Sequence, residues 1–295
     1  MTTDTSTSTH SAQGADSLLK NAKPLFLFGA ARSGTTFLCR ILNAHPQVLL
    51  TNESAVVLQL GELIRRSHIG ASEGIVFGKS HNKAWSDVLR SESRQLIDRF
   101  YERVAYQDME ESGGTNKLAY YGDKHPHLFL CFDLLEEIYS DATYIHLVRD
   151  PRDAALSIAK MSNSTYQEGL KNWKIFDDHN RKFVQRVHED SIFNLSYEEL
   201  VESPHEVSQS VFEALGIKQD SEVARYLDEY GSVDAHTIQN RDGSTSLHSS
   251  NMALHPSTHQ LGRWKKVLSR EDCDFTDQLI PEALAEYGYP LCSEV

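Results

Sequence analysis

Short apolar runs bounded by glycine or proline recur along the chain and predict buried β-strands. The first, Leu25-Phe26-Leu27-Phe28, lies between Pro24 and Gly29. A strand that is apolar on both faces is typical of a parallel sheet covered by helices on both sides. Similar runs predict further strands at residues 48–52, 144–148 and 191–195.

Helical patterns follow these runs. Apolar residues recur with helical spacing over residues 37–42, and the pattern stops at Pro46. After the strand at 144–148, Asp150 offers an N-cap and Pro151 the first helical position of a helix to about Lys160. Another helix is predicted at 204–215, and residues 54–112 are mainly helical in character.

This alternation predicts one α/β domain with a central, mostly parallel sheet flanked by helices, of the P-loop nucleotide-binding type. The domain is expected to span residues 22–295. Residues 1–21 are rich in Thr and Ser and predict a disordered tail, and residues 231–258 predict a long loop.

The composition of the chain indicates which kinds of partner to expect. The chain has 295 residues, and 29 Lys and Arg against 42 Asp and Glu give a net charge of −13, which argues against nucleic acid as a partner. No apolar stretch predicts a membrane span or a secretory leader, and the four cysteines are widely dispersed. We therefore expect a cytoplasmic protein without a membrane partner, and the sequence leaves a homodimer open.

The segment after the first strand has the chemistry of a phosphate-binding loop. It reads Gly29-Ala30-Ala31-Arg32-Ser33-Gly34-Thr35-Thr36 and opens the predicted helix. Backbone N–H groups in such a loop, with the positive end of the helix dipole, favour an anion. Thr35 stands where nucleotide triphosphatases have lysine, and Arg32 supplies the cation instead. This difference disfavours a kinase or ATPase and suits a group with less charge than a γ-phosphate.

Residues 28–38 resemble the 5′-phosphosulfate loop of sulfotransferases that use 3′-phosphoadenosine-5′-phosphosulfate (PAPS). Residues 148–153, with Ser157 after them, are similar to the 3′-phosphate motif of that family. The resemblance implies PAPS as the sulfuryl donor and no metal. It also implies that the 5′-phosphosulfate contacts Arg32, Ser33, Gly34, Thr35 and Thr36, and that the 3′-phosphate contacts Arg149 and Ser157.

Three shorter segments extend the resemblance. Residues 196–201 are similar to a family segment whose tyrosine, here Tyr197, lies near the nucleotide. Residues 261–264 resemble a C-terminal element whose basic residue, here Arg263, reaches the phosphates. Residues 122–126 resemble a segment whose lysine, here Lys124, lies near the transferred group. Five candidate cations from separate segments are expected to meet in the fold: Arg32, Lys124, Arg149, Arg152 and Arg263.

Sulfuryl transfer to a hydroxyl needs a base for the acceptor proton and cations at the leaving oxygen. Glu53 follows a predicted strand and lies 21 residues after Arg32, in a context that resembles the glutamate of the tyrosylprotein branch. We expect Glu53 to be the base, with a pKa raised by partial burial, and Lys124 and Arg32 to neutralise the leaving oxygen. His125 and His127 remain rival bases.

The sequence thus predicts transfer from PAPS to a hydroxyl, rather than an amine, of a small organic acceptor. A protein tyrosine or a glycan is the alternative acceptor. A small-molecule kinase with an atypical loop and a nucleotide-binding module without catalysis are the alternative functions. His248, His255 and His259 are interpreted as loop histidines without a metal because no further ligands complete a set. Trp173 is left unassigned.

Overall fold

The computed structural model describes residues 17–73, 78–112, 117–230 and 261–295, together with the short strands Ile238–Gln239 and Thr245–Ser246. Five strands of the described chain form one parallel sheet in the order β2-β3-β1-β4-β5. Their bounds are β1 Lys23–Phe28, β2 Val48–Asn52, β3 Tyr120–Lys124, β4 Thr143–Val148 and β5 Ile192–Ser196. The predicted single α/β domain with a parallel sheet is confirmed.

Helices cover the sheet and fill the connections between its strands. In chain order they are α1 Thr35–Asn43, α2 Val56–Glu73, α3 Gly78–Ser112, α4 Phe132–Ile138, α5 Pro151–Ser162, α6 Tyr166–Val184, α7 Tyr197–Glu202, α8 Pro204–Ala214, α9 Ser221–Tyr230, α10 Trp264–Val267, α11 Arg270–Leu279 and α12 Pro281–Glu286. The predicted helices after β1 and β4 are therefore present, and residues 54–112 are mainly helical as expected.

Alternate residues of β1 are buried in two hydrophobic cores, one on each face of the sheet. Leu25 and Leu27 pack with apolar residues of α1, α8 and α9 on one face of the sheet. Phe26 and Phe28 pack on the other face with residues of α2, α3 and α4. The period of two along a strand places successive side chains on opposite faces, which explains why this run is apolar throughout.

The strand β3 is an interior strand of the sheet, between β1 and β2, although its sequence does not predict it. Its residues read Tyr-Tyr-Gly-Asp-Lys, which is too polar at one end for the pattern of a buried strand. The strands predicted from the sequence therefore do not include β3. Gly122 is required because a β-carbon there would lie 1.9 Å from the carbonyl oxygen of Leu25 on β1.

Two predicted segments fall mainly outside the described residues. Of the predicted tail, residues 1–16 lie outside them, whereas residues 17–21 form a turn with Leu19 buried in a core, ahead of the predicted boundary at residue 22. The predicted loop 231–258 is described only at Ile238–Gln239 and Thr245–Ser246, which pair as antiparallel strands. Among the described helices, none is long and apolar enough to cross a membrane.

Candidate functional site

The candidate residues lie at one edge of the five-stranded sheet because its strands are all parallel. The carboxyl ends of parallel strands meet at a common edge, where α/β proteins bind their ligands. Each strand contributes one feature there: the loop that begins at Gly29 after β1, Glu53 after β2, Lys124 at the end of β3, Arg149 after β4 and Tyr197 after β5.

The loop between β1 and α1 presents backbone N–H groups at the start of a helix. Gly34 is the N-cap of α1, and its φ of 90° lies in the left-handed region. A β-carbon at Gly34 would lie 2.3 Å from the ring of Tyr197, so only glycine fits between the loop and that ring. The first turn of α1 carries no acidic residue. Such a helix start favours an anion.

Two guanidinium groups lie beside this loop. Arg32 donates from Nε to Oγ of Ser157 over 3.0 Å, and Arg149 donates from Nη1 to the carbonyl oxygen of Arg32 over 3.1 Å. Arg149 also stacks over the ring of Tyr197 at 4.4 Å. Burial, and then the charge of Arg149, lower the pKa of Arg32. Like charges held together in this way are stabilised by an anion between them.

Buried polar atoms in the same region have no protein partner. Ser33 Oγ and Arg149 Nε are buried and accept or donate no hydrogen bond within the described part of the chain. A buried polar group without a partner is costly, so such atoms occur where a ligand or a water completes them. Together with the two guanidinium groups, they fit a ligand with more than one phosphate-like group.

Lys124 joins the phosphate-binding loop to Glu53. Its Nζ donates to Oγ1 of Thr36 over 3.0 Å and to Oε1 of Glu53 over 2.7 Å. The side chain of Lys124 is 1% exposed and that of Glu53 is 48% exposed. The phosphate-binding loop contains no lysine, and Lys124 at the end of β3 supplies an ammonium group beside it instead. One ammonium proton of Lys124 is left for a further acceptor, because an ammonium group has three donors.

Glu53 is an ionised carboxylate that faces Lys124. Its N–H donates to the carbonyl oxygen of Lys124 over 2.8 Å. Burial raises the pKa of Glu53, but the hydrogen bond and charge of Lys124, with the charges of His125 and His127, outweigh burial and lower it. The pKa therefore lies below its ordinary value, opposite to the rise expected from burial. An ionised carboxylate is the form that accepts a proton.

His125 is poorly placed to be the base. Its Nδ1 accepts a hydrogen bond from the N–H of His127 over 3.0 Å, so the neutral ring carries its proton on Nε2. Burial also lowers the pKa of His125. The ring of His127 is exposed and packs 5.1 Å from the ring of Phe176.

Arg152 is not a ligand-facing cation. It is 1% exposed and donates to both carboxylate oxygens of Asp150, from Nε over 2.8 Å and from Nη2 over 2.9 Å. It also donates to the carbonyl oxygen of Pro290 and stacks over the ring of Trp264 at 3.7 Å. The expectation that Arg152 joins the other cations was wrong, since its charge is neutralised by Asp150.

Arg263 occupies an exposed position just before α10. Its neighbours are anchored, because Asp153 accepts hydrogen bonds from the N–H groups of Gly262 and Trp264 over 2.7 and 2.9 Å. The approach of Arg263 to a phosphate remains a prediction. Trp173 is buried in a core. His248, His255 and His259 lie outside the described residues, and the absence of a metal also remains a prediction.

One residue of the site was missed by sequence reasoning. Asp123 precedes Lys124 on β3, is 1% exposed, and accepts hydrogen bonds from Thr51 and Ser54 on either side of Glu53. A signal existed, because a carboxylate in a central strand is rarely buried without a partner. The burial of Asp123 could not be recognised from the sequence, because β3 was not predicted as a strand.

The fold is that of a parallel α/β protein, and the groups at the carboxyl edge of its sheet have the chemistry of an anion-binding site. Residues 24–221 match the model of the sulfotransferase family, and the chain belongs to that family. A protein-tyrosine sulfotransferase of Drosophila melanogaster is 23% identical over 209 residues, which cover 68% of this chain and 40% of that protein.

Two solved structures share the fold. The sulfotransferase domain from the curacin biosynthetic pathway superposes with a TM-score of 0.56 at 18% identity, over 92% of this chain and 99% of that one. Mouse sulfotransferase SULT7A1, complexed with PAP, superposes with a TM-score of 0.52 at 17% identity, over 92% of this chain and 90% of that one. The chain spans between 30% and 40% of the length of the first three curated relatives that it matches.

Proposed function

We propose that this chain transfers the sulfuryl group of PAPS to a hydroxyl of a small organic acceptor, with Glu53 as general base. One observation carries the proposal: Lys124 Nζ bridges Oγ1 of Thr36 in the phosphate-binding loop and Oε1 of Glu53. The candidate base, a cation and the candidate anion-binding loop are thus in direct contact. The family and the PAP complex of a structural neighbour support the choice of donor.

The family resemblance suggests which residues would hold PAPS, and their position at the carboxyl edge of the sheet supports this assignment. The N–H groups and hydroxyls of residues 32–36 would hold the 5′ side, and Arg149 and Ser157 the 3′-phosphate, with Arg263 as a further contact. PAPS supplies an activated sulfuryl group, whose transfer leaves negative charge on a phosphate oxygen. Lys124 and Arg32 would stabilise that charge, and Glu53 would take the proton of the acceptor hydroxyl.

Lys124 has a second consequence for the base. While it donates to Glu53, it holds the carboxylate ionised and its pKa low. When the third donor of Lys124 binds the growing charge on the phosphate, the positive charge of Lys124 is shared between the phosphate and the carboxylate, and its effect on Glu53 weakens. Glu53 then becomes a stronger base at the moment when the acceptor proton leaves.

The surface beside the base favours an acceptor with an aromatic or apolar body. The rings of His127, Phe129, Phe176 and His179 form a connected group, which we call the ring surface, with centroid distances of 4.9–5.9 Å. Leu130 and Ile175 next to it are 66% and 52% exposed. Because the net charge is −13, neutral or cationic acceptors are the first to test.

Other expectations from the sequence stay proposals of lower rank. They are an amine, a protein tyrosine or a glycan as acceptor, a metal-free mechanism, a cytoplasmic location, the lack of nucleic-acid and membrane partners, and a homodimer. None of them is needed for the chemistry above.

The test is turnover of PAPS by wild-type protein and by Glu53→Gln. Phenols and alcohols are offered as acceptors, and PAP release and the mass of the sulfated product are measured. Loss of the base should lower kcat by about 10² to 10⁴. The Kd of PAP should stay within about twofold, because a general base contributes to the chemical step rather than to ground-state binding.

Glu62→Gln is the matched control, since Glu62 is a carboxylate that pairs with Arg65 and Arg66 on the exposed side of α2. Turnover by Glu53→Gln at the wild-type rate would show that another residue is the general base. PAP binding without any turnover would favour a non-catalytic module. Magnesium-dependent consumption of ATP would instead favour a kinase.

A further inference from the structure

Asp123 is a buried carboxylate next to the candidate catalytic lysine. Successive residues of a strand point to opposite faces, so Asp123 and Lys124 face opposite sides of the sheet at the end of β3. Lys124 faces α1 and the phosphate-binding loop through Thr36. Asp123 faces the side of α3, where Tyr101 is buried. The mechanism above uses Lys124 and leaves Asp123 without a role.

The carboxylate of Asp123 holds the turn that carries Glu53. Its Oδ1 accepts from Thr51 Oγ1 over 2.8 Å and from the N–H of Ser54 over 3.3 Å. Its Oδ2 accepts from Ser54 Oγ over 3.0 Å. The donors stand two residues before Glu53 and one residue after it. Three hydrogen bonds therefore fix the backbone on both sides of the candidate base.

That backbone is strained. Glu53 and Ala55 have φ angles of 62° and 59°, in the left-handed region that non-glycine residues rarely adopt. Such conformations persist only when surrounding contacts impose them. The contacts on this turn include those of Asp123 and the hydrogen bond from Glu53 N–H to the carbonyl oxygen of Lys124. Thr51 Oγ1 also donates to the carbonyl oxygen of Gly122, and Lys124 Nζ donates to the carboxylate of Glu53.

The surroundings of Asp123 make its charge costly. Burial raises its pKa to about 6, although the hydrogen bonds of Thr51 and Ser54 and the charge of Lys124 act to lower it. Tyr101 of α3 faces the same carboxylate, and burial together with the charge of Asp123 raises the pKa of Tyr101. A buried acid in a central strand is a liability for stability, so its presence calls for another explanation.

We infer that Asp123 is a positioning residue for catalysis, which holds the strained 51–55 turn so that the Glu53 carboxylate meets Lys124. The inference rests on the proposed function, in which Glu53 is the base. Without Asp123 the turn relaxes toward ordinary backbone angles, and the carboxylate moves out of its contact with Lys124.

The test compares Asp123→Asn with Asp98→Asn. Asp98 of α3 is a matched control because its Oδ1 accepts hydrogen bonds from Tyr121 of β3 and from Tyr139, which follows α4, and neither partner belongs to the turn. Asp123→Asn should lower kcat by about 10- to 100-fold through misplacement of the base. The Kd of PAP should hardly change. Asp98→Asn should lower the melting temperature and leave kcat within about twofold.

A double-mutant cycle separates positioning from general structure. If Asp123 acts through Glu53, adding Asp123→Asn to Glu53→Gln should cause little further loss of kcat. Fully additive losses, or wild-type kcat in Asp123→Asn, would overturn the inference. If Asp123→Asn does not fold, Ser54→Ala removes one donor of the same contact and should lower kcat in the same direction.

A measurement without turnover keeps the two proposals apart. The pKa of Glu53 can be followed by NMR of ¹³C-labelled glutamate, with Glu53→Gln to assign its signal. Asp123→Asn should move this pKa up toward the ordinary value, because the contact with Lys124 is lost, whereas Asp98→Asn should not. Absence of sulfation by the wild-type chain would refute the proposed function alone, and an unchanged Glu53 pKa in Asp123→Asn would refute the role of Asp123.

Discussion

At the scale of single residues, backbone strain is concentrated at the candidate site. Of the non-glycine residues that the structure describes, four have positive φ, and Arg32, Glu53 and Ala55 are three of them. They lie in the turns that carry the candidate cation and the candidate base. Each such residue costs about 1–3 kcal/mol, so the fold must impose these conformations through other contacts. The two turns are therefore set in place before any ligand binds.

Gly34 combines strain with close packing, and its replacement tests the phosphate-binding loop. Gly34→Ala should lower the affinity for PAP by about tenfold or more, because a β-carbon would collide with Tyr197 and displace the N–H groups of the loop. Binding is measured by calorimetry.

Gly216→Ala is the control for Gly34→Ala. Gly216 also has a positive φ, of 69°, but no atom lies within 4 Å of the position of a β-carbon there. It should lose about 1 kcal/mol of stability from the backbone alone and keep its affinity for PAP. Equal PAP binding by the two variants would show that Gly34 does not shape the phosphate site.

At the scale of elements, the junction of β4 and α5 uses two arginines for different tasks. Asp150 caps α5 by accepting from the N–H of Arg152 over 2.9 Å, and it also accepts from Nε1 of Trp264 over 3.0 Å. Arg152 thereby ties α5 to the C-terminal segment through Pro290. Arg149, one residue before the cap, turns instead to the phosphate-binding loop.

This division predicts opposite phenotypes for two neighbouring substitutions. Arg149→Ala should weaken PAP binding by about 100-fold, because a charge-assisted contact to phosphate is lost, with a small change in melting temperature. Arg152→Ala should cost about 3–5 kcal/mol of stability, because Asp150 is left buried without its partner. Calorimetry with PAP and thermal unfolding of both variants distinguish the two.

The reverse pattern would contradict the assignment of the two arginines. Specifically, a large loss of PAP affinity in folded Arg152→Ala would restore Arg152 to the set of ligand-facing cations.

At the scale of the whole molecule, a buried polar contact joins the C-terminal helices to the rest of the domain. Asp177 of α6 is 3% exposed and accepts a hydrogen bond from Tyr287, which follows α12, over 2.7 Å. Burial raises the pKa of Asp177 to about 6, against the opposing effects of Tyr287 and Arg181. At a pH between the ordinary pKa of an aspartate and about 6, the carboxyl group of Asp177 is therefore protonated in the folded chain and ionised in the unfolded chain.

The sign of the pH dependence follows from that difference. Between about pH 4 and pH 6 the folded state binds more protons at Asp177 than the unfolded state, so this group makes the free energy of unfolding fall as pH rises. The change is about 3 kcal/mol for a shift of two pKa units. Asp177→Asn should remove this dependence, measured by urea unfolding at a series of pH values.

Tyr287→Phe gives an independent check. The hydrogen bond from Tyr287 lowers the pKa of Asp177, so its loss should raise that pKa. The free energy of unfolding should then continue to fall up to a higher pH than in the wild type. A wild-type and an Asp177→Asn protein with parallel stability curves from pH 4 to 6 would show that Asp177 is not protonated in the folded state.

The sequence by itself determined those features that depend on contiguous residues. The apolar run of β1 predicts a strand buried on both faces, the left-handed backbone before α1 favours glycine at Gly34, and Asp150 with Pro151 predicts the start of a helix. These interactions are local, so the pattern of the chain reveals them. The family resemblance also marked Glu53, Lys124 and Arg149 as site residues.

Only the tertiary structure decided which of these residues meet. Lys124 is 88 residues from Thr36 and 71 from Glu53, and the contacts exist because β3 lies between β1 and β2. The order of strands is set by the packing of both sheet faces, which no short segment encodes. The same packing explains Gly122 by the carbonyl of Leu25, brings Arg152 against Trp264 and Pro290, and directs Asp123 to the turn of Glu53.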